Sequence, residues 1–173
     1  GHRPTRFKFK YNEKDKRCQR IKKCLQEQLI RLYNQGVRCF WVGGAMGVDM
    51  WAAELLLRMK EQQAYQDVEL CLALPFEGYN ADWDDWHRKR MDFICRYAEK
   101  VLVLGEMPSS ESYKKRNYYM VEQAGHMIAV YDNAHNMRSG TQQTVNYAKK
   151  KGLQIIYIHP DTAQVTAEDI TKK

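Results

Sequence analysis

Glycines and a carboxylate follow one of the short apolar runs in this 173-residue chain. The run that ends at Val42 leads into Gly43, Gly44 and Gly47, and Asp49 comes two residues later. Glycine lets the backbone approach a ligand closely, and the N-terminus of a following helix favours phosphate. The loop therefore predicts a phosphate-binding turn, although a tight strand-to-helix turn also needs glycines for steric reasons alone.

Two carboxylates accompany this loop. Asp49 is placed to cap the following helix, to accept a ribose hydroxyl, or to do both. Glu54 lies about 140° further around the same helix, so it need not share the face of Asp49. A solvated side chain is the ordinary interpretation of Glu54, and the enzymatic alternative makes Glu54 or Asp49 a general acid/base.

A second group of polar residues is basic. Lys115, Arg116 and Asn117 belong to a stretch that we expect to form a loop at the start of a helix near Tyr113. Arginine offers bidentate geometry to phosphate or carboxylate, so the stretch predicts an anion clamp. A solvated basic turn is the alternative.

A third group follows a later apolar run. Asp132 comes directly after that run, and Ser139, Gly140 and Thr141 stand at an expected helix start. Hydroxyl and N–H groups at such a start can donate to an anion, or simply cap the helix. Arg3, close to the first residue, adds a cation that we expect to neutralise phosphate.

No metal or cofactor is expected from the remaining chemistry. The five cysteines include no CxxC pair, which favours packing in a reducing cytosol, and hence a cytoplasmic protein. No serine-hydrolase or Walker motif occurs. The later histidines lack the spacing of metal ligands: His87, His126, His135 and His159.

Apolar runs alternate with amphipathic stretches along the chain. Such alternation predicts an α/β, Rossmann-like, three-layer α/β/α fold with a mostly parallel sheet. We expect one domain over residues 1–160 and a polar C-terminal tail over residues 161–173. The first helix is expected to start at Asn12, and strands are expected at 38–42, 68–74, 101–104, 127–131 and 155–158.

The formal charge of +7 invites a nucleic-acid interpretation. Much of the excess, however, lies in two helical stretches, residues 14–23 and 149–151, where a solvated face is the simpler explanation. No apolar run approaches the roughly 18 residues that cross a bilayer, so no membrane association is expected. The first residues do not resemble a signal peptide.

Four motifs follow one another in order along nearly the whole chain. They are Gly-His-Arg-Pro at residues 1–4, Gly-Gly-Ala-Met-Gly-Val-Asp-Met-Trp-Ala-Ala-Glu at 43–54, Lys-Arg-Asn-Tyr-Tyr-Met-Val at 115–121, and Ile-Ala-Val-Tyr-Asp at 128–132 followed by Ser-Gly-Thr at 139–141. Together they resemble the YpsA-like family of the SLOG superfamily. The resemblance implies a Rossmann-like sheet with a ligand pocket at the strand ends, and also a strand before the Gly-His-Arg-Pro loop.

Relatives within the superfamily suggest three functions. Some bind nucleotides or ADP-ribose-like signals, LOG-type enzymes cut the N-glycosidic bond of nucleotides, and DprA binds single-stranded DNA. LOG enzymes carry a catalytic glutamate after their glycine-threonine pair, whereas Gln142 and Gln143 follow Thr141 here, and glutamine cannot act as a general acid. The leading hypothesis is therefore a sensing or regulatory module for a nucleotide, ADP-ribose-like or NAD-like ligand.

The alternatives are a LOG-type nucleotide hydrolase and a single-stranded nucleic-acid binder. A nucleotide-type small molecule is the expected partner. Nucleic acid ranks below it, and the formation of a homo-oligomer is left open.

Overall fold

The computed structural model describes residues 1–134 and 138–168. The helices span Lys16–Asn34 (α1), Val48–Glu61 (α2), Asp85–Tyr97 (α3), Ser110–Glu122 (α4) and Gly140–Lys150 (α5), with 3-10 turns at Pro4–Arg6 and Gln63–Tyr65. The strands span Cys39–Val42 (β1), Glu69–Leu74 (β2), Lys100–Val103 (β3), His126–Val130 (β4), Gln154–Ile158 (β5) and Val165–Glu168 (β6). Through β5, strands and helices alternate as the sequence predicts.

Helix α1 shows how the apolar spacing forms an element. It begins after Asp15, whose carboxylate accepts a hydrogen bond of 2.8 Å from the backbone N–H of Arg17. The sequence-based start at Asn12 was wrong, because Asn12 instead accepts from the N–H of Lys14 in a preceding turn. The buried face of α1 recurs every three or four residues, at Cys18, Ile21, Leu25, Gln28, Leu29 and Leu32.

The strands form two three-stranded sheets. In the first, β1 pairs with β2 and β2 with β3, all parallel. In the second, β4 and β5 are parallel, and β6 is antiparallel to β5. The structure is therefore an α/β fold of Rossmann-like type with mostly parallel strands, as predicted.

Strand β6 lies where the sequence indicated only a polar tail. The segment alternates polar and small residues, and both its central side chains, Thr166 and Ala167, are exposed. Such an edge strand is stabilised by its backbone ladder with β5, so it leaves a weak apolar signal. His135 and residues 169–173, for which the sequence also made predictions, lie outside the described residues.

Two apolar clusters hold the elements together. The larger joins α1 and α2 to the first sheet and takes in Phe7 and Phe9, which contact Trp51. The smaller lies around β4 and β5, with Val121 and Val145 among its members. Within the described residues, no helix is both long enough and apolar enough to cross a membrane.

Candidate functional site

A cavity of about 770 Å³ opens where β1 and β4 end. Its outer, polar part contains eight of the residues that the sequence selected, and we call this part the polar mouth. Its inner part runs between the two sheets and is apolar. The selected residues that line the cavity are Arg3, Gly43, Asp49, Arg116, Asn117, Ser139, Gly140 and Thr141.

The glycines of the loop after β1 have different roles. Gly44 has φ of +73°, and a Cβ there would lie 2.7 Å from Leu74 and 2.8 Å from the hydroxyl of Tyr79. Gly47 also has positive φ and packs against Pro4. Neither glycine lines the cavity. Both are glycine because the turn requires positive φ angles at these positions.

Gly43 faces the cavity, unlike the other two glycines. A Cβ at this position would lie 2.7 Å from Nη1 of Arg116 and 2.8 Å from Oδ2 of Asp49. Glycine is therefore needed here because two charged side chains approach the backbone. The close approach of a ligand to this loop stays a prediction.

Arg116 is the most buried cation of the site, at 4% exposure. Its Nη1 donates to the carbonyl of Gly43 and, at 3.5 Å, to that of Ala73, while Nε donates to Oδ1 of Asn117 at 2.7 Å. The guanidinium thus fastens α4 to the carboxyl ends of β1 and β2. Nη1 and Nε therefore have acceptors within the protein, which holds the guanidinium in place without a ligand.

The basic stretch is helical, and the expectation of a loop was wrong. Ser109 caps α4 by accepting from the N–H of Ser112 at 3.2 Å, so the helix starts three residues before Tyr113. Successive residues of a helix point about 100° apart. Lys115 is therefore exposed and outside the cavity, while its neighbour Arg116 is buried beside it.

The polar mouth carries an excess of positive charge. The guanidinium groups of Arg3 and Arg116 lie 5.9 Å and 5.7 Å from the centre of the Tyr113 ring. Burial lowers the pKa of Arg116, and the positive charge of Arg3 lowers it further. The carboxylate of Asp49 acts in the opposite direction and raises this pKa. Two like charges held around one ring repel each other, and a bound anion would relieve that repulsion.

Asp49 is the acidic residue among those lining the cavity in the described part of the chain. It lies in the first turn of α2, and its Oδ2 accepts from the backbone N–H of Ala45 at 3.3 Å. The expectation that Asp49 caps α2 was wrong, because Gly47 is the N-cap and no side chain caps this helix. Asp49 instead holds the preceding loop, and its carboxylate borders the cavity. One carboxylate beside two guanidinium groups leaves the mouth net positive.

Glu54 lies outside the cavity, and its half-buried carboxylate is paired. Its Oε1 accepts from Nη2 of Arg90 at 2.5 Å. Arg90 also binds both carboxylate oxygens of Glu13, at 2.6 and 2.9 Å, and Glu13 binds Lys22. This four-residue ion network joins α1, α2 and α3, which gives Glu54 a structural role.

The side of the cavity near β4 is built from local contacts. Ser139 caps α5 by accepting from the N–H of Gln142 at 3.0 Å, and Gly140 and Thr141 form the first turn at the cavity wall. The free N–H groups of that turn carry the positive end of the helix dipole. Ser139 thus provides the cap that the sequence allowed, at a place where an anion would also be stabilised.

Asp132 does not reach the cavity. Its Oδ1 accepts from the N–H of Ala134 at 3.1 Å and lies 3.7 Å from Nε2 of His2. Burial lowers the pKa of His2, whose Nδ1 has no hydrogen-bond partner within the described residues. Asp132 therefore orders its own loop and holds the His2 ring.

Several cavity residues were missed by the sequence reasoning. Tyr113 is the most important, because two guanidinium groups lie 5.9 Å and 5.7 Å from the centre of its ring. Its spacing of three from Arg116 on one helix was the available signal. Arg6 and Gln143 also line the cavity and were not selected.

In the described residues, no group of three or more histidine, cysteine, aspartate or glutamate side chains is arranged to hold a metal ion. The chemistry of the site therefore rests on guanidinium groups, helix N-termini, one carboxylate and an aromatic ring.

The model of the YspA SLOG family matches residues 1–163. The chain belongs to the YspA SLOG family. The matched region includes all four motifs that suggested the resemblance, together with every residue that lines the cavity.

Curated relatives support the same assignment. A UPF0398 protein of Bacillus cereus strain ATCC 14579 is 30% identical over 155 residues, which cover 88% of this chain and 81% of the relative. A UPF0398 protein of Bacillus thuringiensis strain Al Hakam is 29% identical over 155 residues, with the same coverage. A third, from Bacillus cereus strain G9842, is 30% identical over 134 residues, covering 76% of this chain and 71% of the relative.

Proposed function

We propose that this YspA SLOG protein binds a nucleotide or a nucleotide-derived ligand of the ADP-ribose or NAD type, as a sensing or regulatory module. The observation that carries the proposal is the pair of guanidinium groups, Arg3 and Arg116, around the Tyr113 ring at the polar mouth. A phosphate or pyrophosphate group is the anion that such a pair suits best, because guanidinium N–H groups form charge-assisted hydrogen bonds with its oxygens.

The surroundings of this pair support the same ligand class. The helices α2 and α5 both start at the cavity wall, where their N–H groups favour an anion. In this proposal Asp49 accepts a ribose hydroxyl, and the amide of Asn117 bonds to a sugar or base. The cavity volume of about 770 Å³ lies in the usual range of small-molecule sites.

Binding without catalysis is favoured over glycosidic hydrolysis. Hydrolysis of that bond ordinarily uses two carboxyl groups, one as acid and one as base or nucleophile. Of the two candidates, Glu54 is held by Arg90 and does not line the cavity, which leaves Asp49. A single carboxylate suits recognition of a hydroxyl group better than a two-carboxylate mechanism.

The test is a thermal-shift screen of the purified protein against mononucleotides, dinucleotides and ADP-ribose. A ligand at 100 times its Kd adds about 2.7 kcal/mol, which raises the Tm by roughly 5–10 °C for a chain of this size. A panel without any such shift would refute the proposal. Free base or nicotinamide released in the same mixtures, and abolished by Asp49→Asn, would replace it with a hydrolase.

The matched variants are Arg116→Lys and Lys115→Ala. The first keeps the charge but loses the planar fork, so we expect the Kd of the ligand found in the screen to rise at least roughly tenfold. The second removes a neighbouring cation that lies outside the cavity, so the Kd should stay within about twofold at moderate salt. A larger effect of Lys115→Ala than of Arg116→Lys would show that only general charge attraction is involved.

A further inference from the structure

Helix α3 presents a stripe of aromatic side chains to solvent. Trp86, Phe93 and Tyr97 are 56%, 53% and 54% exposed. Because successive residues of a helix turn by about 100°, the three lie within about 40° of one another over a length of roughly 17 Å. On the opposite side of the helix, Met91 and Ile94 are buried in the larger apolar cluster. The inner face of α3 thus completes the core, and an outer face that is also apolar has no partner within the described residues.

Two valines of β3 extend this surface. Val101 and Val103 are paired with Leu72 and Leu74 of β2, and residues directly opposite each other share one face of a sheet. Both leucines belong to the larger apolar cluster, as does the buried face of α3. The valines therefore lie on the same side of the sheet as α3. They are 39% and 43% exposed, on a strand that pairs only with β2 in the described part of the chain.

The rings of the aromatic stripe are held in place by neighbouring groups. The guanidinium of Arg90 lies 4.3 Å from the centre of the Trp86 ring, and Arg90 is itself fixed in the four-residue ion network. The ring centres of Phe93 and Tyr97 are 4.7 Å apart. Side chains that are already positioned lose less conformational entropy when a partner covers them.

Charged residues alternate in sign along one flank of the stripe. Asp85, Lys89, Asp92 and Arg96 are exposed, and their helical positions fall within an arc of about 60°. Read in the opposite direction, this order of charges has a basic residue wherever the original has an acidic one. The flank is therefore complementary to a second copy of itself in antiparallel orientation. Asp85 also pairs with Arg88 of its own helix, but its side chain is still 78% exposed.

We propose that the aromatic stripe of α3 packs antiparallel against the same stripe of a second copy of this chain, which gives a two-fold symmetric homodimer. In such an interface the same patch is used by both copies, so each pair of residues occurs twice. Asp85 then faces Arg96 of the second copy, and Lys89 faces Asp92 of the second copy.

The register that pairs these charges also interleaves the aromatic rings. It places Trp86 opposite the part of the second helix that lies between Phe93 and Tyr97. Because of the symmetry, each of the two Trp86 rings has the same surroundings. None of these aromatic or charged residues lines the cavity, so the dimer is independent of the ligand proposed for the polar mouth.

The exposed apolar area agrees with what a dimer requires. Tyr11, whose ring lies 5.9 Å from that of His87 beside Trp86, is 49% exposed and adds a fourth aromatic side chain to the surface. Four half-exposed aromatic side chains offer roughly 400 Å² per copy, and the two valines add to it. A standard interface buries about 800 Å² per partner, of which roughly 500 Å² is apolar in homodimers.

Sedimentation equilibrium of the purified chain over roughly 1–200 μM is the first test. We expect a monomer–dimer equilibrium with a Kd of about 10 μM or lower, as for other interfaces of this size. A monomer throughout this range would overturn the proposal and leave the stripe to a different protein. Association beyond the dimer would also overturn it, because a two-fold interface is closed once two copies have joined.

Charge reversal tests the antiparallel register. Lys89→Asp places two acidic residues opposite each other, and Asp92→Lys places two basic ones, so each should raise the dimer Kd at least roughly tenfold. The double variant Lys89→Asp/Asp92→Lys restores opposite charges and should return the Kd to within about threefold of the parent. The control Lys115→Asp, on an exposed position of α4, should change the Kd by less than about twofold.

These variants distinguish register from net charge. Lys89→Asp lowers the net positive charge of the chain and Asp92→Lys raises it, so a general charge effect would shift the Kd in opposite directions. Such opposite shifts would overturn the proposal, as would a double variant that stays as weak as the single ones. Far-UV circular dichroism confirms that the variants keep the helical content of the parent.

Removal of one ring tests the aromatic contact. Phe93→Ser should raise the dimer Kd at least roughly a hundredfold, because aromatic residues at the centre of an interface contribute most to affinity. The matched control is Met107→Ser, which removes a 66% exposed apolar side chain outside α3 and should leave the Kd within about twofold. Equal effects of the two variants would overturn the proposal.

Discussion

The two sides of the cavity are held in place by different means. Near β1 and α2, the buried Arg116 binds the carbonyl of Gly43, and the hydroxyl of Tyr79 binds that of Gly44 at 2.9 Å. Near β4 and α5, the side chains of Ser139 and Asp132 bond to backbone groups two or three residues away. The first side depends on buried contacts between distant parts of the chain. The second is held by local turns and caps, together with hydrogen bonds from the N-terminal residues His2 and Arg6.

Because of this difference, substitutions on the two sides should affect folding stability and ligand affinity to different degrees. Substitutions on the first side disturb buried contacts, so they are expected to reduce folding stability and ligand affinity together. Substitutions on the second side change a helix start that is partly exposed, so they should affect affinity with a small change in stability. The larger apolar cluster, which includes β1 and α2, lies on the first side.

The largest effect is expected for Gly44→Ala. The substitution places a Cβ at φ of +73° and within 2.8 Å of both Leu74 and Tyr79, so we expect a loss of about 3 kcal/mol in the free energy of unfolding. Chemical denaturation at pH 7 measures it. The matched control is Gly140→Ala on the second side, where a Cβ meets nothing within 4 Å. A similar loss in both variants would contradict the comparison.

A smaller effect is expected for Glu13→Gln in the ion network of the first side. The carboxylate of Glu13 accepts hydrogen bonds from Arg90 and Lys22. Removing its charge should lower the free energy of unfolding by about 2 kcal/mol at pH 7. The exposed Glu106→Gln is the control and should change stability by less than about 0.5 kcal/mol.

The same variant tests the pH dependence. Burial acts to raise the pKa of Glu13, but the hydrogen bonds from Arg90 and Lys22 outweigh it and hold the pKa below its ordinary value of 4.5. The network therefore contributes fully above pH 4.5, and its contribution is lost as the pH falls through the lowered pKa. Urea titrations from pH 6 to pH 3 should show a steeper loss in the parent than in Glu13→Gln. Parallel curves would exclude this role of Glu13.

The smallest effect is expected for Ser139→Ala on the second side. Loss of the cap on α5 should lower the free energy of unfolding by about 1 kcal/mol, because the N–H of Gln142 loses its acceptor. Thr141→Ala, in the same turn, is the control and should stay within about 0.5 kcal/mol. A loss in Ser139→Ala as large as that in Gly44→Ala would show that the second side is as rigid as the first.

Much of the fold could be predicted from the sequence, because apolar periodicity is a local property. The spacing of Leu25, Leu29 and Leu32 indicates a helix, and the apolar run of β2 indicates a buried strand. The start of α4 was misplaced although Ser109 is a good cap. Strand β6 was missed because it depends on a backbone partner and not on apolar side chains.

The candidate site was predictable in outline, since glycines and polar residues cluster where apolar runs end. Eight of the selected residues do line one cavity. The role of each glycine was not predictable. Gly44 and Gly47 adopt the positive φ angles that the turn requires, whereas Gly43 leaves space for the side chain of Arg116. A spacing rule does not distinguish these cases.

By itself, the sequence determined the alternation of strands and helices, the glycine turn after β1 and the cap of α5, since each depends on neighbours within a few residues. Only the tertiary structure decided that Arg116 rather than Lys115 enters the cavity, because the rotation of α4 about its axis is set by packing. It also decided that Glu54 pairs with Arg90, which lies 36 residues away. Contacts between distant residues form only when the elements pack together, and here they select which charged groups are free to meet a ligand.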